Sequence, residues 1–425
     1  MVRAPVKDPS LPVQALKRVS AEPADLAPLL QPLTVLHSAD WQIGKPYGRV
    51  SDPDKRGRLR QARLDAIGRN GPVIEPCGAQ LLVVAGDLFD SPTPSASDVS
   101  AVCAAVGALG CPTLVIPGNH DHGAPGGVWH SPFFEQEQRR RAPQLQVLLE
   151  RQPLELEQLV VLPCPLLQRH ESEDPCAWLG QLNWSSLPDG KPRLVIAHGG
   201  VTGFSTADLD PENPSSDRNL LGLAGAWTDA VDYIALGDWH GCKQISAKAW
   251  YSGSPEPDRF PRSADYRSGQ VLAVGLQRGQ PALVSSHSTG AIGWHPLSFC
   301  CQGDGDLDRL EAQVEALLQG RIGQDLLLLE LSGSLSLAGQ ERFAALQERW
   351  SAQLLRLKQR GSLQVSPKAE EIDALSQRPD APLVAAVARQ LQHQLQDPSG
   401  TERQTVELAL ADLHRAVAEA SQACA

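Results

Sequence analysis

The sequence lacks several features that would assign it to common classes of protein. Its nine cysteines show no paired Cys-x-x-Cys spacing, and an odd count without such a framework fits reduced, mostly buried thiols in a cytosol. No apolar stretch reaches membrane-spanning length, and the N-terminus has no continuous apolar core, so we expect a cytoplasmic protein without a signal peptide or membrane contact. No G-x-x-x-x-G-K-[ST] loop is present, so the chain is not itself expected to be an ATPase motor.

An excess of positive charge is also missing. The chain has 38 Lys and Arg residues against 49 Asp and Glu residues, which gives a net charge of −11. This balance offers no overall attraction to a polyanion. Any contact with nucleic acid must therefore be local or depend on a bound metal.

The length of 425 residues and a hydrophobic content of 42% predict two or three domains. We expect a flexible arm over residues 1–30, an α/β layered domain over residues 31–290, and a smaller unit over residues 291–425. The first domain alternates strand-like runs with helical stretches at Lys55–Arg69 and Ser97–Leu109. The predicted elements of the second unit are an amphipathic stretch at Leu307–Leu318, a strand at Asp325–Leu331 and helices at Gln340–Arg360, Pro382–Gln396 and Glu402–Ala420.

Five short segments place metal-binding side chain types directly after apolar runs. The runs are LTVL, LLVV, TLVI, RLVI and DYIAL, and each is typical of a buried strand. Because ligands of such sheets collect at the carboxyl ends of the strands, we expect the segments to meet at one edge. The segments are HSADWQIG (His37–Gly44), GDLFD (Gly86–Asp90), GNHDHG (Gly118–Gly123), AHGG (Ala197–Gly200) and GDWHG (Gly237–Gly241).

This combination predicts a two-metal centre that cleaves phosphoesters. Two divalent ions about 3.5–4 Å apart can activate a water and neutralise the phosphoryl oxygens. Asp87 follows a strand and the flexible Gly86, and it is the candidate for the carboxylate that bridges both ions. Asp40 would hold one ion, and Asn119 and His198 would hold the other.

Three further residues complete the predicted centre. His240, and with it Asp238, would close the set of metal ligands. His120 directly follows Asn119 and is the candidate for the group that protonates the leaving oxygen or steadies the transition state.

The ordered series D-x-x, GDxxD, GNHD, a lone His before Gly, and G-x-x-H resembles the calcineurin-like metallophosphoesterases over roughly residues 33–284. HSADWQIGK, GDLFDS, IPGNHD and YSGSPEPDRF look most like the SbcD-type DNA repair exonucleases. The resemblance implies an α/β fold, a layered β-sandwich flanked by helices, with a smaller α+β C-terminal cap and a helical tail. It also implies a manganese-dependent nuclease on DNA ends with an SbcC-like coiled-coil ATPase partner, and it leaves a homodimer open.

Two positions depart from the family pattern. The first motif is D-x-H in the family, whereas Gln42 stands in the place of its imidazole, and Asp238 replaces an imidazole of the last motif. At both positions, hydrogen bonding or loop packing competes evenly with direct ligation. Ligation by Asp238 would favour Mn²⁺ or Mg²⁺ over Zn²⁺, because oxygen donors suit the harder ions. The changes are compatible with a tuned site, a one-metal site or a site that has lost catalysis.

Two other functions compete with the nuclease. The acidic net charge favours a phosphoesterase for small molecules such as nucleotides, whereas the departures at Gln42 and Asp238 allow a scaffold without catalysis. Metal content separates the scaffold from the enzymes, and substrate size and salt dependence separate the two enzymes.

Overall fold

The computed structural model describes residues 33–202, 218–261, 263, 265–396 and 403–423. The arm predicted over residues 1–30 lies outside the described residues. Across the described residues no helix is long and apolar enough to cross a lipid bilayer.

The described residues form eighteen strands and nine α-helices. The strands before residue 203 are β1 (Leu33–Ser38), β2 (Leu81–Ala85), β3 (Thr113–Ile116), β4 (Leu145–Val147), β5 (Leu154–Glu155), β6 (Val160–Cys164), β7 (Arg193–His198) and β8 (Gly200–Val201). The later strands are β9 (Leu220–Leu221), β10 (Tyr233–Gly237), β11 (Lys243–Gln244), β12 (Ala249–Tyr251), β13 (Gln270–Leu276), β14 (Leu283–Ser288), β15 (Trp294–Cys301), β16 (Leu326–Leu335), β17 (Arg356–Gly361) and β18 (Gln364–Val365). The helices are α1 (Pro53–Gly68), α2 (Gly71–Cys77), α3 (Ala96–Leu109), α4 (Pro132–Arg141), α5 (Asp306–Leu318), α6 (Leu337–Gln353), α7 (Ala369–Ser376), α8 (Pro382–Leu395) and α9 (Arg403–Ala423).

Two six-stranded sheets form a sandwich, and the five strands predicted from apolar runs lie inside them. The first sheet has the order β14-β13-β1-β2-β3-β4, and the second has the order β11-β12-β10-β7-β6-β5. Strands β1, β2 and β3 are mutually parallel, as are β7 and β10. The predicted α/β layered fold is therefore confirmed.

Side chains alternate between two cores because successive residues of a strand point to opposite faces. In β2, Leu81 and Val83 pack between the two sheets, whereas Leu82 and Val84 pack against the outer helices. His37 of β1 ties the sheets together, since its Nδ1 lies 3.0 Å from the Tyr233 hydroxyl and its Nε2 lies 3.1 Å from the Leu236 carbonyl oxygen.

A third, separate sheet contains β15, β16, β17 and β18 and packs against α5 and α6. The strand predicted at Asp325–Leu331 corresponds to β16, but the helix predicted over Gln340–Arg360 is too long. Its last residues form β17, which pairs in parallel with β16. The helix ends because Leu354 and Leu355 are buried, and burial together with strand pairing outweighs the helical propensity of the segment. The domain boundary at residue 290 remains a prediction.

Asp325 connects the start of this third sheet to its surroundings. The carboxylate is fully buried, and it lies 2.8 Å from His295 Nε2 and 2.7 Å from Arg321 Nη2. The Gly293 N–H also donates to it at 2.9 Å. Burial acts to raise the pKa of Asp325, but these hydrogen bonds and the charge of Arg321 hold the pKa well below its ordinary value.

We expect Asp325→Asn to lower the free energy of unfolding at pH 7 by about 2 kcal/mol, since hydrogen bonds to charged groups contribute roughly 1.5–3 kcal/mol each. Because the folded pKa is below the unfolded value of about 3.9, this stabilisation is present above about pH 4 and is lost as the pH falls further. Urea unfolding at pH 7, 5 and 3.5 measures both effects. Asp308→Asn is the matched control, since that side chain is 75% exposed. Equal losses of unfolding free energy in the two variants at pH 7 would show that the buried contacts of Asp325 do not stabilise the fold.

Candidate metal centre

The predicted metal-binding residues lie where strands of both sheets end. Asp40, Asp87 and Asn119 follow β1, β2 and β3 of the first sheet. His198 is the last residue of β7, and Asp238 directly follows β10 in the second sheet. Parallel neighbours place these ends at the same edge of each sheet, as the sequence predicted.

The two sheet edges meet at one backbone carbonyl. His198 Nδ1 donates a hydrogen bond to the Ala85 carbonyl oxygen at 2.8 Å. A Cβ atom at Gly237 would lie 1.8 Å from the same oxygen, so only glycine permits this approach. The hydrogen bond at Nδ1 directs His198 Nε2 into the centre.

Asp40, Asp87 and His198 lie together in the middle of the centre. One ligand atom from each of these three buried residues lies within 4.8 Å of the others. His198 Nε2 is 3.6 Å from Asp87 Oδ1 and 3.8 Å from Asp238 Oδ1. Buried His198 Nε2 and Asn119 Oδ1 have no hydrogen-bond partner among the described residues. Unsatisfied buried acceptors beside carboxylates fit a divalent cation.

The electrostatics of the centre also favour a cation. Burial raises the pKa of Asp40 to about 8 and also raises the pKa of Asp238. Burial acts to lower the pKa of His198, but the charges of Asp87, Asp40 and Asp238 raise it to about 9. Burial opposes ionisation of Asp87, yet the charges of His198 and His120 and the backbone hydrogen bond from His120 lower its pKa. Without an ion, the carboxyl group of Asp40 and the imidazole of His198 therefore retain protons at neutral pH, and a divalent cation would displace these protons and neutralise the carboxylates.

Strained backbone is concentrated at the same residues. Asp40, Gln42 and Asp87 adopt left-handed conformations with φ of 55°, 43° and 55°, and Asp238 has φ of 100°. Such conformations cost about 1–3 kcal/mol each and persist where the surroundings hold them in place, as at functional sites. Arg63 provides part of this support, because it is buried and donates to the carbonyl oxygens of Asp40 and Trp41 at 2.9 and 2.8 Å.

His120 lies at the rim of the centre, and one third of its side chain is exposed. Its Nδ1 is 3.1 Å from the Asp90 carbonyl oxygen, and its Nε2 is 4.0 Å from Asp87 Oδ2. The backbone carbonyl can only accept, so Nδ1 carries a hydrogen and Nε2 faces the carboxylate. This position is suited to proton transfer beside a substrate oxygen.

Gln42 and His240 occupy the opposite side. Gln42 Nε2 lies 3.4 Å from Asp87 Oδ2 and 3.3 Å from His240 Nε2. His240 Nδ1 is 2.9 Å from Asp258 Oδ2. Burial lowers the pKa of His240 to about 4 despite this carboxylate, so the imidazole is neutral at neutral pH.

Sequence reasoning missed three residues of the centre, which are Lys45, Asp121 and Asp258. Asp121 is buried and accepts from the Phe89 and Gly118 N–H groups at 3.0 and 2.8 Å, which joins the loops after β2 and β3. The fourth letter of GNHD was the available signal for Asp121. Lys45 is the last letter of HSADWQIGK and Asp258 lies within YSGSPEPDRF, but neither motif indicated that these two side chains meet at the centre.

We expect Gly118→Ala to weaken binding of Mn²⁺ by about 10- to 100-fold, the range seen when the supports of metal ligands are altered. The added Cβ would lie 2.2 Å from Asp87 Oδ1 and would displace this carboxylate. Isothermal titration calorimetry measures the affinity. Gly180→Ala is the control, because its Cβ would meet no described atom within 4 Å. Unchanged affinity in a folded Gly118→Ala protein would show that Asp87 does not contact the ion.

Comparison with known proteins identifies the family of this chain. The pattern of the calcineurin-like phosphoesterases matches residues 33–260. The SbcD component of the nuclease SbcCD from Staphylococcus epidermidis is 25% identical over 263 residues, which are 57% of this chain and 66% of that protein, so the match spans just under two thirds of the relative. A solved structure from Thermus thermophilus is 12% identical with a TM-score of 0.37, covering 60% of this chain and 99% of that one. Another is 13% identical with a TM-score of 0.36, covering 60% and 98%. This chain belongs to the calcineurin-like phosphoesterase family.

Proposed function

We propose that this protein is a metal-dependent phosphodiesterase whose substrate is DNA, acting as an exonuclease or endonuclease in the processing and repair of DNA ends. The observation that carries the proposal is the buried set of Asp40, Asp87 and His198 with an unsatisfied imidazole nitrogen. Family membership supports hydrolysis of a phosphoester, and the similarity to a component of a nuclease supports DNA.

Asp40, Asp87, His198 and Asn119 would hold the cation, with Asp238 beside them. Mn²⁺ is the proposed ion and Mg²⁺ the alternative, because most of these donors are oxygen atoms. When bound, a divalent cation supplies charge neutralisation for the phosphoryl group and makes a water more acidic.

His120 completes the proposed chemistry from the rim. Its Nδ1 is held by the Asp90 carbonyl oxygen, which orients the ring and leaves Nε2 on the side of Asp87. In its protonated form, Nε2 can donate to the leaving oxygen of the cleaved phosphodiester.

A local cluster of positive charge beside the centre supports a polyanionic substrate. Desolvation lowers the pKa of His170, and the positive charges of Arg218, Arg169 and His122 act on it in the same direction. The cluster adjoins the GNHD loop, since the Gly123 N–H donates to the Leu166 carbonyl oxygen at 2.8 Å. Such a cluster provides the local attraction to phosphate groups that a net charge of −11 does not.

The C-terminal unit is proposed to serve substrate and partner binding. The third sheet would help to position DNA as a cap, and the helical tail would contact an SbcC-like coiled-coil ATPase. Exposed apolar side chains on the tail helices support a protein contact, since Leu383 of α8 is 79% exposed and Leu408 of α9 is 54% exposed. We propose in addition that the protein forms a homodimer and acts in the cytoplasm.

We expect Asp87→Asn to abolish degradation of end-labelled linear DNA with Mn²⁺, because the variant loses the central carboxylate. His120→Asn is expected to retain Mn²⁺ binding while turnover falls by about 10²–10⁴-fold, the contribution typical of a proton-transfer group. Gel analysis of the products and calorimetric Mn²⁺ titration separate the two roles. Equal loss of Mn²⁺ in both variants would contradict this division, and intact DNA with wild-type protein would redirect the assignment to small phosphoesters.

We expect Arg169→Glu combined with Arg218→Glu to raise the KM for DNA by at least about tenfold at low salt, since removal of phosphate contacts weakens binding and its salt dependence. Hydrolysis of bis-p-nitrophenyl phosphate should change less than twofold. Arg415→Glu on α9 is the matched charge reversal, because that side chain is 61% exposed and lies outside the cluster. Equal effects on both substrates would show that the cluster supports the fold and does not bind DNA.

A further inference from the structure

Four side chains on one side of the metal centre form a closed cycle of polar contacts, which we name the Gln42 ring. Lys45 Nζ donates to Gln42 Oε1 at 2.6 Å and lies 3.3 Å from Asp258 Oδ2. Asp258 contacts His240 Nδ1 at 2.9 Å, and His240 Nε2 returns to Gln42 Nε2 at 3.3 Å. Every member therefore has a polar partner inside the ring.

The orientation of the Gln42 amide follows from Lys45. An ammonium group only donates, so it must face the amide oxygen and not the amide nitrogen. The Gln42 nitrogen then points to His240 Nε2 and to Asp87 Oδ2, at 3.3 and 3.4 Å. Its two hydrogens have two acceptors.

The protonation of His240 follows from Gln42. The amide nitrogen of Gln42 only donates, so His240 Nε2, which lies 3.3 Å from it, must accept. His240 Nδ1 faces Asp258 Oδ2 at 2.9 Å, and Arg259 Nη2 lies 3.1 Å from the same ring nitrogen. His240 Nδ1 consequently carries the hydrogen, and Nε2 offers its lone pair to Gln42. The lone pairs that the family pattern would give to an ion at this side are thus occupied by an amide.

The side of the centre around His198 differs, because two of its acceptor atoms have no hydrogen-bond donor among the described residues. His198 Nε2 and Asn119 Oδ1 are buried acceptors without a hydrogen-bond partner among the described residues, and Asp40 and Asp87 lie beside His198. The carboxylates accept one backbone hydrogen bond each, from the His120 N–H to Asp87 at 2.9 Å and from the Asp238 N–H to Asp40 at 3.1 Å, whereas His198 Nε2 and Asn119 Oδ1 receive none. One side of the centre is therefore built to receive a cation, and the other is filled by the protein itself.

We infer that each chain binds a single divalent cation, at Asp40, Asp87 and His198, and that the amide nitrogen of Gln42 with the ammonium group of Lys45 takes the place of a second. The two-ion centre that the five sequence segments predict does not fit the Gln42 ring. Lys45 strengthens the exclusion, because a divalent ion next to a fixed ammonium group is repelled. The inference rests on the proposed function only in requiring that the centre binds metal.

Counting the ions tests this inference without any substrate. Full-length protein is titrated with Mn²⁺, and bound ions per chain are measured by elemental analysis and by electron paramagnetic resonance. We expect one ion per wild-type chain, with the six-line spectrum of an isolated Mn²⁺. Gln42→His combined with Lys45→Met supplies an imidazole and removes the ammonium charge, so it should bind two ions and give an exchange-coupled spectrum.

Matched variants decide how the result is interpreted. Gln347→His adds an imidazole at a half-buried position of α6 outside the centre and should leave the count at one. Two coupled ions in the wild-type protein would overturn the inference, as would a folded double variant that still binds only one ion. Absence of any bound ion in the wild-type protein would overturn it as well.

The same preparations distinguish this inference from the proposed function. DNA cleavage by the wild-type protein with one bound Mn²⁺ supports both. One bound ion without hydrolysis of DNA or of a small phosphodiester overturns the function and leaves the ion count standing. Cleavage of DNA by wild-type protein with two bound ions supports the proposed function and overturns the inference of a single ion.

Discussion

The meeting of two sheet edges at the Ala85 carbonyl oxygen is the contact on which the rest of the centre depends. Gly237 permits the close approach because any side chain there would collide with that oxygen. His198 uses the same oxygen to orient its ring. Asp87 follows Ala85 by two residues, so one short segment sets the positions of the central carboxylate and the central imidazole together.

Bringing these groups together is energetically costly, and the surrounding structure compensates. Asp40 and Asp87 are buried near one another on left-handed backbone. Buried hydrogen bonds hold both loops, since Arg63 donates to the Asp40 carbonyl oxygen and Asp121 accepts from two loop N–H groups. The β-sandwich thus stabilises a concentration of acidic groups that would separate in a less rigid setting. A divalent cation would relieve the repulsion between the carboxylates.

The centre is asymmetric, and the cause lies in hydrogen-bond donors. On the His198 side, His198 Nε2 and Asn119 Oδ1 have no hydrogen-bond partner among the described residues. On the Gln42 side, the Gln42 amide nitrogen faces Asp87 Oδ2 and His240 Nε2, and the Lys45 ammonium group donates to Gln42 Oε1. Gln42 stands where the family pattern has an imidazole. Its amide presents hydrogens to the centre, and not a lone pair, only when the amide oxygen is turned away. The hydrogen bond from Lys45 to that oxygen turns it away. The four residues of the Gln42 ring therefore determine how many ions the centre binds. Asp40 and Asp87 could serve as ligands with one ion or with two.

The sequence by itself determined five strands of the sandwich and the order of the motifs that follow them. Apolar runs such as LLVV must be buried, and their short length with Gly, Asp or His at the end makes them strands that lead into a shared edge. Local signals failed where long-range pairing dominates, as at Arg356–Gly361, where a predicted helix is a strand paired with β16. Only the tertiary structure decided which donors meet which acceptors. The carbonyl that orients His198, the loops joined by Asp121 and the lysine that turns the Gln42 amide are contacts between side chains and segments that local pattern does not connect, because hydrogen-bond partnership depends on distance in space and not on position in the chain.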